Sequence, residues 1–202
     1  MDASLTWVTP GTAWWMEYSD VVRCELSSTV LVRDGGLVFI DPIPLAPEQL
    51  EALRLVATPR AIILTNANHQ RYSRPLAAQL GIPIHAPLLA NDELDADIWV
   101  AAEGPPLPGD LTPVPLPGFP PGETALFDAN QNLLIVGDAL INIPERRFEM
   151  LPDKYCADPI VARRSLGILG TLKFETFLFA HGLPLQGSHT ELVQQLASIP
   201  AK

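Results

Sequence analysis

The sequence predicts an α/β chain of the α+β type, on three observations. Apolar runs of strand length alternate with segments whose apolar residues recur at helical spacing. That strand-then-helix order occurs twice along the chain. Between the two occurrences lies a stretch, 101–122, crowded with proline and glycine, which marks connections and excludes a helix. Neither flank is long enough for a convincing core of its own, so residues 1–202 are expected to form one domain of two β/α halves joined by that loop. In the first half the order β-β-α-β-α-β implies a sheet covered by helices on one face.

Arg23 to Arg33, rich in Val, Leu and Thr, reads as a strand, and Asp34-Gly35-Gly36 turns the chain into a second, Leu37 to Ile40. Asp41 closes that strand and Pro42 prevents its continuation, because proline has no N–H to give to a ladder. From Pro47 to Ala57, Leu50, Leu53 and Val56 share one helical face, with proline in the first turn where its missing N–H does no harm. Ala61 to Leu64 is the next strand, a helix around Arg74 to Leu80 ends at Gly81, and Ile82 to His85 is a short strand. In the second half Thr124 to Phe127 and Leu133 to Val136 are strands joined by a turn at Asp128 to Asn132. Asp158-Pro159 opens a helix through Val161, Leu166 and Leu169, with the aspartate as N-cap and proline at the first position. Phe177 to Ala180 is a strand. Ser188 and Glu191 form a capping box for the last helix, whose buried stripe is Leu192, Leu196 and Ile199.

Composition narrows the function classes. A chain of 202 residues can bury a core without disulfide or metal staples, and 48% hydrophobic with 18% charged residues is ordinary for a soluble globular protein. The net charge is −10, and Arg146-Arg147 and Arg163-Arg164 are isolated pairs. Both facts argue against nucleic acid or an anionic membrane surface as a partner, since each needs clustered Lys and Arg. The longest apolar runs, such as Leu133 to Val136 and Phe177 to Ala180, are far too short to span a bilayer. Met1-Asp2-Ala3-Ser4 is not a basic segment leading into an apolar one, so no secretory signal is expected. Cys24 and Cys156 are too few for a disulfide framework, and a cytoplasmic, reduced protein is the expectation.

Five short motifs occur in order: Phe39-Ile40-Asp41, the turn Thr65-Asn66-Ala67-Asn68-His69-Gln70-Arg71, the segment Pro117-Gly118-Phe119-Pro120-Pro121-Gly122, then Val136-Gly137-Asp138 and Ala180-His181-Gly182. Through them the chain resembles, over nearly its whole length, the metallo-β-lactamase superfamily. The resemblance implies an αββα sandwich of two mixed β-sheets flanked by helices. In that family the second motif reads Thr-His-x-His-x-Asp-His and the third Pro-Gly-His-Thr-Pro-Gly, around a centre of two zinc or iron ions. Here Asn66, Asn68, Gln70 and Arg71 stand in four ligand positions and Phe119 in a fifth. Asp138, the bridging carboxylate by resemblance, and His181, the last histidine, remain.

Zinc wants at least three ligands of the His, Cys or carboxylate type, and the amide oxygens of Asn66, Asn68 and Gln70 suit hard cations instead. Gln70 also lacks the carboxylate that would orient a nucleophilic water. Without a metal to lower its pKa, water is a poor nucleophile at neutral pH. Two-metal hydrolysis and a metal cofactor are therefore not expected; were a metal bound, zinc or iron through Asp138 and His181 would be the first guess. An arginine near a helix N-terminus opposes the macrodipole, and a buried Asp138 needs a counter-charge. The expectation is that Arg71 faces Asp138 as a bidentate pair in the metal's place.

The candidate ligand site is thus Asn66, Asn68, Gln70, Arg71, Phe119, Asp138 and His181, with no catalytic residue assigned, and it would take a small anionic molecule near a helix N-terminus. Two other readings fit the same residues: an atypical or one-metal hydrolase, and an interaction or scaffold protein whose old pocket is filled by its own side chains. Self-association stays open. His69, at a non-ligand position of the turn, is expected at the surface, as is His189, while His85 packs or meets solvent. Trp7, Trp14, Trp15 and Trp99 are expected in packing. Cys156, in a loop that borders the pocket in this fold, would need a base partner to act as a nucleophile, and the sequence shows none.

Overall fold

Strands covered on both faces carry apolar residues on both, and the central strands of this protein do so. The computed structural model describes residues 4–102, 104–143 and 147–199; Met1 to Ala3 and Arg146, which the sequence reading used, lie outside them. A seven-stranded sheet runs in chain order: β1 (Thr6–Thr9), β2 (Thr12–Ser19), β3 (Cys24–Arg33), β4 (Gly36–Ile40), β5 (Thr58–Ile63), β6 (Ile84–Pro87) and β7 (Ile98–Val100). β1 to β4 pair antiparallel, and β4 to β7 pair parallel. The helices α1 (Pro47–Val56) and α2 (Ser73–Leu80) make the first two parallel crossovers. The second half adds β8 (Thr112–Pro115), β9 (Thr124–Asp128), β10 (Leu133–Val136), a ribbon of β11 (Leu140–Ile143) and β12 (Arg147–Met150), α3 (Pro159–Leu166), β13 (Thr176–Phe179), β14 (Leu185–Gln186) and α4 (His189–Ala197). Its sheet is ordered β14-β13-β10-β9-β8, with only β10 and β13 parallel.

Alternation along the strands sorts the core into three layers. In β4, Leu37 and Phe39 point with Leu50 and Leu53 of α1 and Leu76 of α2, while Val38 and Ile40 point the other way. In β10 and β13, Leu134, Val136, Phe177 and Phe179 meet Ala162 and Leu166 of α3 and Leu192 of α4. The opposite faces, Leu31, Val38, Ile40 and Ile63 from one sheet with Leu133, Ile135 and Leu178 from the other, pack together between the sheets. The architecture is αββα, as the resemblance implies. Each such buried side chain contributes roughly 1.5–3 kcal/mol of transfer free energy.

The helix ends follow their sequence signals. Asp158 accepts from the N–H groups of Ile160 and Val161, Ser188 and Glu191 form the reciprocal capping box, and Gly81 ends α2 at φ +67°. The first two strands were not anticipated. Their Thr12 to Ser19 run buries Ala13 and Trp15 fully and leaves Trp14 and Met16 half-buried, but its polar residues obscure the signal. The proline-rich stretch also holds a strand, β8. It lies at the edge of its sheet, where Pro113 and Pro115 leave no ladder donor unmet. No helix among the described residues is long and apolar enough to cross a membrane.

Candidate functional site

Open α/β sheets gather functional groups beyond the carboxyl ends of their parallel strands. Asp41 follows β4, Thr65 to Arg71 follow β5, Asp138 follows β10 and His181 follows β13. Gly137 lets these loops close in, because a Cβ there would stand 2.5 Å from Thr65 Oγ1 and 2.9 Å from Glu123 Oε1.

His69 is the centre of the cluster. Its side chain is 2% exposed, Nδ1 lies 2.9 Å from Asp41 Oδ2 and from Thr65 Oγ1, and Nε2 lies 3.1 Å from Asp138 Oδ1. Burial and the Arg71 charge both push its pKa down, but the Asp41 and Asp138 carboxylates outweigh them and raise it to about 9. The ring is an imidazolium clamped between two carboxylates. The expectation of a surface residue is therefore wrong. Its physical reason is the tight turn in which Asn66 accepts the N–H of Asn68 and throws the side chain of His69 inward.

Arg71 points inward as well, yet it does not form the expected bidentate pair. Among the described residues no hydrogen bond or ion pair joins it to Asp138. Nη1 donates to Ser27 O at 2.7 Å and Asp41 O at 3.2 Å, and Nη2 donates to Ala180 O at 3.1 Å. Nη2 also stands 3.2 Å from His69 Nε2 and 3.4 Å from His181 Nε2. The guanidinium thus ties the ends of β4 and β13 to β3. Both Asp41 and Arg71 have positive φ, +47° and +37°, a conformation that L residues hold only when surroundings over-determine it.

The two site carboxylates facing these cations are held low. Burial raises Asp41, but His69, Arg71 and the Thr65 hydroxyl outweigh it and bring the group below its ordinary value. Burial likewise raises Asp138, and His69 and His181 hold it well below the usual carboxylate range. Asp138 Oδ1 meets His181 Nε2 at 3.0 Å and its Oδ2 accepts from Asn68 Nδ2 at 2.9 Å. His181 Nδ1 lies 2.9 Å from Glu25 O and 3.5 Å from Cys24 Sγ.

Of the seven predicted residues, the fold brings Asn68, Arg71, Asp138 and His181 together around a cleft of about 940 Å³. Asn66 is buried behind them, donating to Glu123 Oε2 at 2.6 Å. Gln70 turns away, giving Nε2 to Ser73 Oγ and accepting from Asp95 N, so it braces the start of α2. Phe119 is also elsewhere: it is 3% exposed, packs in the core under α3, and lines a separate apolar cavity of about 520 Å³. The cleft above the cluster is open, unlike the alternative reading of a self-filled pocket.

The site residues that the sequence did not assign include His69, Cys24, Asp41 and Glu123. Glu123 is buried, accepts the N–H groups of Asp138 and Ala139 at 3.2 and 3.0 Å, and is raised to about 7 by burial and by Asp138. Its only signal was its place directly after Gly122 in the third motif. His189, expected at the surface, is half-buried with Nδ1 accepting the Phe174 N–H at 3.4 Å. His69, Asp138 and His181 offer ligand atoms that lie within 4.8 Å of one another, a grouping able to hold a metal ion.

A family model described as the metallo-beta-lactamase superfamily matches residues 7–199. Among curated proteins, the probable metallo-hydrolase YflN of Bacillus subtilis (strain 168) is 30% identical over 98 residues, 41% of this chain and 37% of that protein. The match therefore spans well under half of that relative's length. Among solved structures, a metallo-beta-lactamase from Pontibacter korlensis is similar with a TM-score of 0.76 at 13% identity, covering 98% of this chain and 100% of that one. The metallo-beta-lactamase FIM-1 from Pseudomonas aeruginosa in its mono-zinc form gives 0.74 at 16% identity, over 99% and 98% of the two chains. At such identities the likeness is one of fold.

Proposed function

The chain belongs to the metallo-β-lactamase superfamily, and we propose that it is a member in which two internal cations, His69 and Arg71, stand in for the family's metal centre, leaving a cleft that binds a small anionic ligand. The observation that carries this is the position of Arg71 Nη2, 3.2 and 3.4 Å from the Nε2 atoms of His69 and His181. A metal needs lone pairs on its imidazole ligands. At neutral pH a metal would have to displace the proton that Asp41 and Asp138 hold on His69, whose pKa is raised to about 9. A guanidinium some 4 Å from a unit charge opposes it by about 4 kcal/mol at an effective dielectric of 20, and a divalent ion by more. Asn66 and Asn68 spend their amides on Glu123 and Asp138. At neutral pH this donor set is a poor fit to zinc or iron.

The cleft offers an anion the exposed Arg23 at its rim and Asn68 and His181 on its floor. Elemental analysis of the purified protein, with thermal shifts in phosphate and small carboxylates, tests the reading. Substoichiometric zinc and iron and a rise in Tm with the anions are expected. A second reading, a one-metal hydrolase on His69, Asp138 and His181, rests on their 4.8 Å grouping. Stoichiometric metal, with chelator-sensitive turnover of lactam, thioester or phosphoester substrates, would establish it and overturn the first.

A further inference from the structure

β7 and β8 are the last strands of their sheets. Val100 of the one and Pro113 and Pro115 of the other wall the apolar cavity of about 520 Å³ that Phe119 also lines. Its floor is Ile63, Leu107 and Leu126, all members of the layer packed between the sheets. Leu88 and Leu89 are exposed at its mouth. We propose that this cavity is a binding site for a small, uncharged, largely hydrocarbon molecule, separate from the cleft lined by His69 and His181. The proposal goes beyond the anion reading above and does not depend on it.

Three observations specify the occupant. The first is the hydrogen-bonding capacity of the wall. Pro87, Pro113, Pro115, Pro117, Pro120 and Pro121 all line it, and none has an N–H to offer. Polar groups beside them are satisfied within the chain. The Leu116 N–H donates to Glu123 O, the Thr124 N–H to Thr65 O and the Thr124 hydroxyl to Gly122 O, while Pro120 O and Pro121 O accept from the N–H groups of Glu123 and Ala67. The second observation is charge. Among the described lining residues Glu123 alone is ionisable, and its oxygens already accept from Asn66 Nδ2 and from the N–H groups of Asp138 and Ala139. A charged ligand would enter without a partner, so an uncharged one is favoured. The third is rigidity. Proline fixes φ, so this wall cannot slump inward to fill the space. Gly122, at φ +76°, brings it against the segment after β6, where a Cβ would stand 2.9 Å from Ala90 Cβ and 3.0 Å from Pro87 Cβ.

Preformed, mostly apolar spaces of this size are typical of small-molecule sites, and an apolar cavity without polar partners holds hydrocarbon in preference to water. Its depth suits a small molecule better than the face of a protein, since Ile63 and Leu126 at its floor are each 1% exposed. Among the described residues Pro120 alone lines both this cavity and the cleft. The two spaces therefore share a wall but sort ligands by charge: Arg23, Arg71, Asp138 and His181 line the cleft, and no cation lines the cavity among the described residues.

N-Phenyl-1-naphthylamine, an uncharged dye that brightens in apolar surroundings, tests this when titrated into the full chain. Saturable brightening at close to one dye per chain is expected, with 1-decanol displacing the dye. Decanoate, charged at about pH 8, should compete at least about 10-fold more weakly, and inorganic phosphate should not compete. Ala101→Trp and Leu89→Glu, both at exposed positions of the cavity wall, should each weaken dye binding by about 10-fold or more. Tyr155→Glu, at an exposed position of the cleft wall, should leave it unchanged. Should one cavity variant fail to fold, the other decides. The proposal is overturned by an absence of saturable brightening, by decanoate competing as strongly as decanol, or by dye that Tyr155→Glu expels and the cavity variants retain. Dye binding that falls as the chain elutes as a dimer also overturns it, because a second copy then covers the opening. Failure of the anion reading shows instead as an unchanged Tm in phosphate with dye binding intact.

Discussion

Asp138 and Glu123 meet across a single peptide, Glu123 accepting the N–H of Asp138 at 3.2 Å, and they are nearly equally buried at 6% and 3% exposure. Their charge states are nonetheless opposite in tendency. Asp138 is held well below the carboxylate range, whereas Glu123 is pushed up to about 7. Burial raises both, so burial does not explain the difference. What differs is the neighbourhood: Asp138 touches His69 and His181, and Glu123, among the described residues, bonds an amide and two backbone N–H groups. On one side of the turn cations set the chemistry, and on the other dipoles do.

Removing a cation should make the Asp138 side behave like the Glu123 side. Arg71→Leu deletes the donor to Ser27 O, Asp41 O and Ala180 O and leaves two buried carboxylates with one counter-charge fewer. A loss of about 3–5 kcal/mol in urea unfolding is expected, the range for breaking a buried charge arrangement. A loss under about 1 kcal/mol, typical of an exposed pair, would mean that Arg71 is not the internal counter-charge.

The pH dependence comes next in size. The folded pKa of His69, about 9, lies above its ordinary 6.5. Its contribution is therefore complete below pH 6.5 and is lost as pH rises through 9, on the order of 3 kcal/mol in all. Unfolding free energies measured across that window should fall, and His69→Gln should flatten the fall. An unchanged slope in the variant would place the titration on another group.

The smallest effect is expected at Glu123. Its pKa is also raised, from 4.5 to about 7, so its contribution is present below pH 4.5 and lost as pH rises through 7. Glu123→Gln should remove that slope. The net change at pH 8 should be only about 1 kcal/mol, because an amide can no longer accept from all three donors. A steeper slope in the variant would mean that the two carboxylates are not distinguished by their neighbours in the way described.

Much of the fold was legible because its signals are local. The unbroken apolar runs of β4 and β10, the Pro47 start of α1, the Asp158 cap and the Ser188 box each act within a few residues, and the structure has them where expected. β1, β2 and β8 were harder, since their identity depends on which strand they border. In the site, the motif positions of Arg71, Asp138 and His181 were legible, and Gln70 and Phe119 were misplaced. A motif position does not say which way a side chain turns: Gln70 serves the start of α2 and Phe119 the core under α3. His69 and Cys24 had no motif to announce them.

Spacing and turn chemistry were enough for two β/α halves, and the resemblance carried by the motif order for the αββα architecture, because these are properties of residue identity along the chain. Which charges face each other was settled only when the ends of β4, β5, β10 and β13 met. Coulomb energies depend on separations of 3–4 Å between residues as distant in sequence as His69 and Asp138, or Cys24 and His181. The expected pair of Arg71 and Asp138 became, in three dimensions, His69 and His181 against Asp138, with Arg71 on the carbonyls of Ser27, Asp41 and Ala180.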